Sequence, residues 1–203
     1  MHNNEPEKRG LSVSMREIPE ENNPKILMDL AKAGDRGAFE KLYGIFFTPI
    51  YRYIFLRVKD KSEVELLTQD VFIKVYKSIG QFELKNGTTP LPYFFTIARN
   101  TIIDYWRKNR NKVSFGKEDL MMQIPDRSDG PVENAEKKEA VAMLYKSLNK
   151  ITHEQREALT LRYFHDMPNR DIGKYMGKSE EAVRQLQSRA LKSLRNILRE
   201  SNS

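Results

Sequence analysis

Apolar residues recur every three or four positions along most of this chain, and no stretch alternates apolar with polar. That period predicts helices and no sheet. From Pro24, "NPKILMDLAKAGDRGAFEKLYGIFFTPIYRYIFLRV" predicts a short helix, a turn at Gly34 to Gly37 and a longer aromatic-rich helix. "SEVELLTQDVFIKVYKSIGQF" predicts the next, capped by Ser62 and stopped at Gly80, with Val64, Leu67, Val71, Phe72 and Val75 as its buried stripe. "ELKNGTTPLPY" is a loop, marked by Asn-Gly and two prolines. The following helix puts Phe94, Ala98, Ile102 and Tyr105 on one face, flanked by Phe95, Thr101 and Trp106.

Two segments break the pattern. Residues 1–24 are rich in Asn, Glu and Pro and read as a disordered lead-in, within which Met15 is an alternative start. Between Val113 and Glu139 there are four basic and seven acidic residues and little periodicity, so 113–138 reads as a flexible acidic linker. The expected fold is all-α: two small helical domains, 25–112 and 139–203, on either side of that linker.

Charge narrows the functional classes. The net charge of +7 favours an anionic partner such as nucleic acid or a membrane surface. No cysteine is present, which excludes disulfides, thiolate metal sites and cysteine nucleophiles and fits a reducing compartment. "MHNNEPEKRG" is no signal peptide, and "IYRYIFL" is too short to span a bilayer, so the expected location is the cytoplasm. The three histidines, His2, His153 and His165, form no metal-spaced cluster, and no nucleophile with a base stands out. The expectation is therefore no cofactor, no small-molecule substrate and no enzyme. "GKYMGKS" resembles the end of a phosphate-binding loop, but Ile172 stands where that loop needs glycine and a helix precedes it.

Three helices carry faces that a simple core does not explain. On the helix over residues 94–111, Arg99, Asn100, Ile103, Arg107, Arg110 and Asn111 lie opposite the core. The helix dipole accounts for a basic C-terminal tail. It does not account for Arg99 and Asn100 two turns earlier, which suit phosphates and a base edge, so DNA contact and a solvated face both stand. On the preceding helix, Leu66 and Ile73 flank Asp70, with Gln69 beside them; they form either a partner patch or a second buried face.

The third case is the C-terminal segment. "THEQREALTLRYF" opens with a capping box, Thr152 and Gln155. "MPNRDIGKYMG" is a short helix with Pro168 at its start and Gly177 at its end, and Gly173 sits where two helices cross closely. The last helix begins at Ser179 and buries Val183, Leu186, Ala190, Leu194 and Ile197. Its other side shows Arg184, Gln185, Gln187, Ser188, Arg189 and Lys192. This is the pattern of a helix-turn-helix with a reading face for the major groove; a plain three-helix bundle is the alternative.

Taken together, these segments resemble a bacterial RNA polymerase sigma factor of the extracytoplasmic-function type, from about Lys25 to Arg199. "VELLTQDVFIKVYKSIGQF" resembles the polymerase-binding helix, "PYFFTIARNTIIDYWRKNRN" the helix for the promoter minus-ten element, and "LTLRYFHDMPNRDIGKYMGKSEEAVRQLQSRALKSLR" the minus-thirty-five reader. The resemblance implies contacts to core RNA polymerase through Leu66, Gln69, Asp70 and Ile73. It implies minus-ten contacts through Asn86, Arg99, Asn100, Arg107 and Arg110, with the loop from Leu84 to Pro92 receiving a flipped base. It implies minus-thirty-five contacts through Ser179, Arg184, Gln187, Ser188 and Arg189. It also implies an anti-sigma factor as a partner. Asn169 and Arg170 depart from the family, which often has an aromatic or acidic residue there. The rival reading is a stand-alone helix-turn-helix regulator binding duplex operator DNA.

Overall fold

The computed structural model describes residues 22–58, 60–83, 89–109 and 135–201. All regular structure among them is helical. The acidic stretch 113–134, most of the lead-in, Asn86 and Arg110 lie outside the described residues.

Several helices start where a side-chain oxygen accepts from the free backbone N–H groups, whereas the helices Leu91–Lys108 and Asn169–Met176 start behind a proline with no side-chain cap. Asn23 caps α1 (Pro24–Lys32), and Asp35 caps α2 (Arg36–Phe55). The cap of α3 (Lys61–Ser78) is Asp60, not the expected Ser62: Asp60 Oδ1 accepts from the backbone N–H groups of Ser62 at 2.8 Å and Glu63 at 3.3 Å. The start lies two residues earlier because a carboxylate outcompetes a hydroxyl at a helix N-terminus. A 3-10 turn, Ile79–Gln81, ends α3 at the expected glycine. α4 runs Leu91–Lys108 behind a proline pair.

In the second unit, α5 (Ala135–Leu148) precedes α6 (His153–Tyr163), which carries the complete Thr152–Gln155 capping box. α7 (Asn169–Met176) and α8 (Glu180–Ser201) form the helix-turn-helix. Gly177 adopts φ +66°, which ends α7 in the left-handed conformation that glycine tolerates best. Gly173 is required for another reason: a Cβ there would lie 2.6 Å from the Lys178 carbonyl oxygen.

Packing follows the stripes. α2 packs on α1, α3 and α4, and α8 packs on α5, α6 and α7. The α3 stripe is wholly buried, as are Phe94, Phe95, Ala98, Thr101 and Ile102 of α4. Tyr105 and Trp106 are half-buried.

The two units do not stand apart. α4 packs against α7, and the larger apolar core runs from α2, α3 and α4 into Leu161, Met167, Ile172, Tyr175 and Val183. The smaller core of the second unit in turn takes in Leu56. Each unit thus covers an apolar face of the other, and separating them would expose that surface to water.

Candidate functional site

Three surfaces and one buried cluster carry chemistry. The first surface is the outward side of α3. Leu66 is 60% exposed and Ile73 51% exposed, so the second-buried-face reading does not hold for them among the described residues. Asp70 lies between them, half-exposed, with Lys74 Nζ 2.9 Å from Oδ2. Lys74 also donates to Thr101 Oγ1 at 3.0 Å, which steadies the carboxylate against α4. Gln69 is exposed beside them.

The second surface is α4. Arg99 and Asn100 are both exposed, one turn past the middle of the core face. Arg107 is exposed too, with Asp104 at 3.3 Å. Ahead of them, Tyr93 stacks on Phe82 with ring centroids 4.1 Å apart, and its hydroxyl lies 2.6 Å from Ser78 Oγ. This pair forms one wall of an open groove of about 550 Å³; Gly173, Lys174 and Lys178 of the second unit form the other wall.

The third surface is the first half of α8. Ser179 Oγ accepts from the backbone N–H of Ala182 at 3.1 Å, so it caps the helix. Arg184 is exposed and engaged by Glu180 and Glu181 of its own helix. Ser188 and Arg189 are exposed without such partners among the described contacts. Gln187 is placed differently. It is 8% exposed, and its Nε2 donates to Asn169 Oδ1 at 2.9 Å and to the Ala158 carbonyl at 3.4 Å. The side chain expected to read DNA instead ties α8 to α7 and α6, while Leu186 turns partly outward. The buried stripe follows Val183, Gln187, Ala190 and Leu194, a spacing of four, three and four that suits the packing on α6 and α7.

The buried cluster is one that sequence reading missed. Arg57 follows α2, Glu157 lies on α6, and they are 2% and 4% exposed. Arg57 Nη2 donates to Glu157 Oε2 at 2.6 Å, and Nη1 to the Tyr53 carbonyl at 2.9 Å. The guanidinium carbon sits 3.7 Å above the Tyr53 ring centre. The Tyr53 hydroxyl donates to Glu157 Oε1 at 2.9 Å, and that of Tyr175 to the same atom at 2.7 Å. The two hydroxyl oxygens are 2.8 Å apart.

The electrostatics are consistent with this geometry. Burial pushes the Glu157 carboxyl up, but the Arg57 guanidinium and the bonds from Tyr175, Tyr53 and Arg57 outweigh it and hold the group at about 2. Burial raises Tyr53 and Tyr175 well above the ordinary phenol value. Nearby, His165 packs on Tyr53 and Phe95 with both ring nitrogens buried and unpartnered. Burial, then the charge of Arg57, holds it neutral down to about 3. The only local signal for the cluster is a base just past the apolar end of α2 and an acid on α6.

The Sigma-70 region 2 family matches residues 42–112, and the Sigma-70, region 4 family matches 147–196. The ECF RNA polymerase sigma factor SigX of Bacillus subtilis (strain 168) is 32% identical over 169 residues, covering 80% of this chain and 86% of SigX. The ECF RNA polymerase sigma factor BldN of Streptomyces coelicolor is 29% identical over 172 residues, 85% of this chain but 64% of BldN. Among solved structures, CnrH in complex with the cytosolic domain of CnrY superimposes with a TM-score of 0.64 at 18% identity, covering 89% of this chain and 99% of the other. RpoE from Bartonella quintana, in complex with the anti-sigma factor NepR, superimposes with a TM-score of 0.58 at 20% identity, covering 79% and 96%.

Proposed function

The chain belongs to the ECF family of RNA polymerase sigma factors, and from that premise we propose that it binds core RNA polymerase, recognises and helps melt promoter DNA, and directs transcription initiation. The observation that carries this reading is the uncovered aliphatic face of α3 around Asp70. A stand-alone regulator needs a DNA face and a dimer or effector face. A DNA face on each of the two units, with a separate protein-docking patch at Leu66, Asp70 and Ile73, suits an initiation factor better. On this reading the patch, with Gln69, docks on the polymerase clamp: aliphatic anchors fill a pocket and Asp70 meets a basic partner.

Arg99, Asn100, Arg107 and Arg110 of the first unit then face the minus-ten element, with Asn86 in the loop that receives a flipped base. Ser179, Arg184, Ser188 and Arg189 face the minus-thirty-five element. Arg184 exchanges its carboxylate partners for phosphate or a guanine edge. Gln187 acts from inside, by fixing the angle between α7 and α8. An anti-sigma factor is the expected protein partner, as one of the similar solved structures is a sigma factor in complex with an anti-sigma factor. The protein works in the cytoplasm and acts by binding, not catalysis. Among the described residues no helix is long and apolar enough to cross a membrane.

The test is transcription in vitro from fragmented genomic DNA with core polymerase, with and without the protein. Discrete new starts that need the protein support the reading, and the DNA upstream of them supplies both promoter elements. Tight duplex binding by the protein alone, with no new starts, supports the stand-alone regulator instead.

A further inference from the structure

The reading face of α8 carries an acid where DNA repels one. Glu181, Arg184 and Ser188 follow one another at spacings of three and four, so they share one line along the helix. All three are exposed, and the line runs away from the buried stripe of Val183, Gln187, Ala190 and Leu194. Glu181 is in the first turn of α8, the part of a recognition helix that meets base edges.

Glu181 and Arg184 are already joined. Arg184 Nη1 lies 3.3 Å from Glu181 Oε2, and Nη2 bonds Glu180. The helix dipole favours acids in a first turn, and it acts on both glutamates. Glu180 is half-exposed and lies to one side of the line, whereas the Glu181 side chain is 65% exposed and lies on it. A carboxylate among phosphates is disfavoured by Coulomb repulsion unless a donor meets it.

The major groove supplies such a donor. A carboxylate only accepts hydrogen bonds, and cytosine N4 presents an amino group that Glu can take. Adenine sets its N7 acceptor beside its own amino group, which suits an amide side chain instead. A guanidinium finds its two-pronged match in guanine O6 and N7. Three residues of α-helix advance about 4.5 Å, close to the roughly 3.4 Å between successive base pairs.

We propose that Glu181 and Arg184 read the minus-thirty-five element as a unit, Glu181 accepting from cytosine N4 of one base pair and Arg184 donating to guanine O6 and N7 of its neighbour. That assignment rests on the sigma-factor reading above and names two of the bases its second unit selects. The ion pair orders both side chains before DNA arrives, so less freedom is lost on binding. Together the two groups carry no net charge. They add discrimination between sequences and little to the phosphate attraction common to all DNA.

The test is transcription by core polymerase with the full chain from a promoter whose minus-thirty-five element is randomised, with the base preference at each position read by sequencing. The parent should select two neighbouring G·C pairs. Glu181→Gln should move one of those positions from cytosine to adenine, lowering the cytosine preference about tenfold. Arg184→Ala should relax the guanine preference at the neighbouring position about tenfold. Glu180→Gln, off the line, should leave every position as in the parent. A switch confined to one position cannot come from a general change in charge or stability. An even change across all positions in Glu181→Gln, or a parent that selects no neighbouring G·C pairs, overturns the paired reading. If the parent directs polymerase to no start, the sigma-factor reading falls. The same library selected for duplex binding by the full chain alone then decides the Glu181–Arg184 assignment by the same single-position switch.

Discussion

Two faces of the first unit invert the usual division between inside and outside. The outward side of α3 leaves Leu66 and Ile73 in water, although they are aliphatic. The side turned to α6 and α7 hides Arg57, paired with Glu157 of the second unit, although both are charged. Burial alone would exchange the two. The two exceptions have different causes. The aliphatic patch is complete only against a partner, and each buried charge is tolerated only because the other compensates it.

The comparison breaks most clearly at its exposed half. Leu66→Arg with Ile73→Arg should weaken core polymerase binding at least about 100-fold, or roughly 3 kcal/mol. The melting transition should barely change, because both side chains are exposed. Asp70→Arg should act in the same direction, with the helical CD signal unchanged; normal polymerase binding by that variant would remove the clamp assignment. Filter binding or fluorescence anisotropy with labelled core enzyme measures either one.

A smaller effect tests whether the second unit meets the first as a rigid body. Gly173→Ala forces a Cβ against the Lys178 carbonyl, at 2.6 Å before relaxation. It should destabilise the helix-turn-helix by about 2 kcal/mol, seen as an earlier loss of ellipticity in urea.

The smallest effect sharpens the hidden half. His165 has two ring nitrogens buried without partners where the two units meet. His165→Phe should stabilise the packed form by about 1 kcal/mol, by removing unsatisfied polar atoms from an aromatic cage. It should also change the acid response. Both His165 and Glu157 have folded values below their ordinary ones, so protonating either one disfavours the packed form, and stability is lost as pH falls. For His165 the window runs from about 6.5 to about 3. For Glu157 it runs from about 4.5 to about 2. Small-angle scattering should show expansion beginning below pH 6.5 in the parent. In the phenylalanine variant it should begin only below about 4.5.

These examples show where the sequence was readable. The α3 stripe, the Thr152 capping box and the two glycines of the helix-turn-helix depend on residues within a turn or two, and each was legible as a pattern. Gln187 was misplaced because a polar amide on a helix wheel counts as outward. Only the packing partners Asn169 and Ala158 turn it in. Asn169, noted for its departure from the family, proves to be one of those partners. Arg57 and Glu157 gave no sign of each other, because no local spacing links an arginine at the end of one helix to a glutamate two domains' worth of chain away. The acidic composition of 113–138 suggested separation of the units, whereas their apolar faces fit together.

The distance along the chain between those two residues has its own consequence. Arg57 and Glu157 are 100 residues apart, and a ribosome adds roughly 5–20 residues per second. A newly made first unit therefore emerges and folds for about 5–20 seconds before Glu157 exists. During that interval the α3 face is already complete, while Arg57 has no carboxylate to meet and stays in water. Burial of the pair waits on synthesis of the second unit, so the hidden face is the later of the two to be finished.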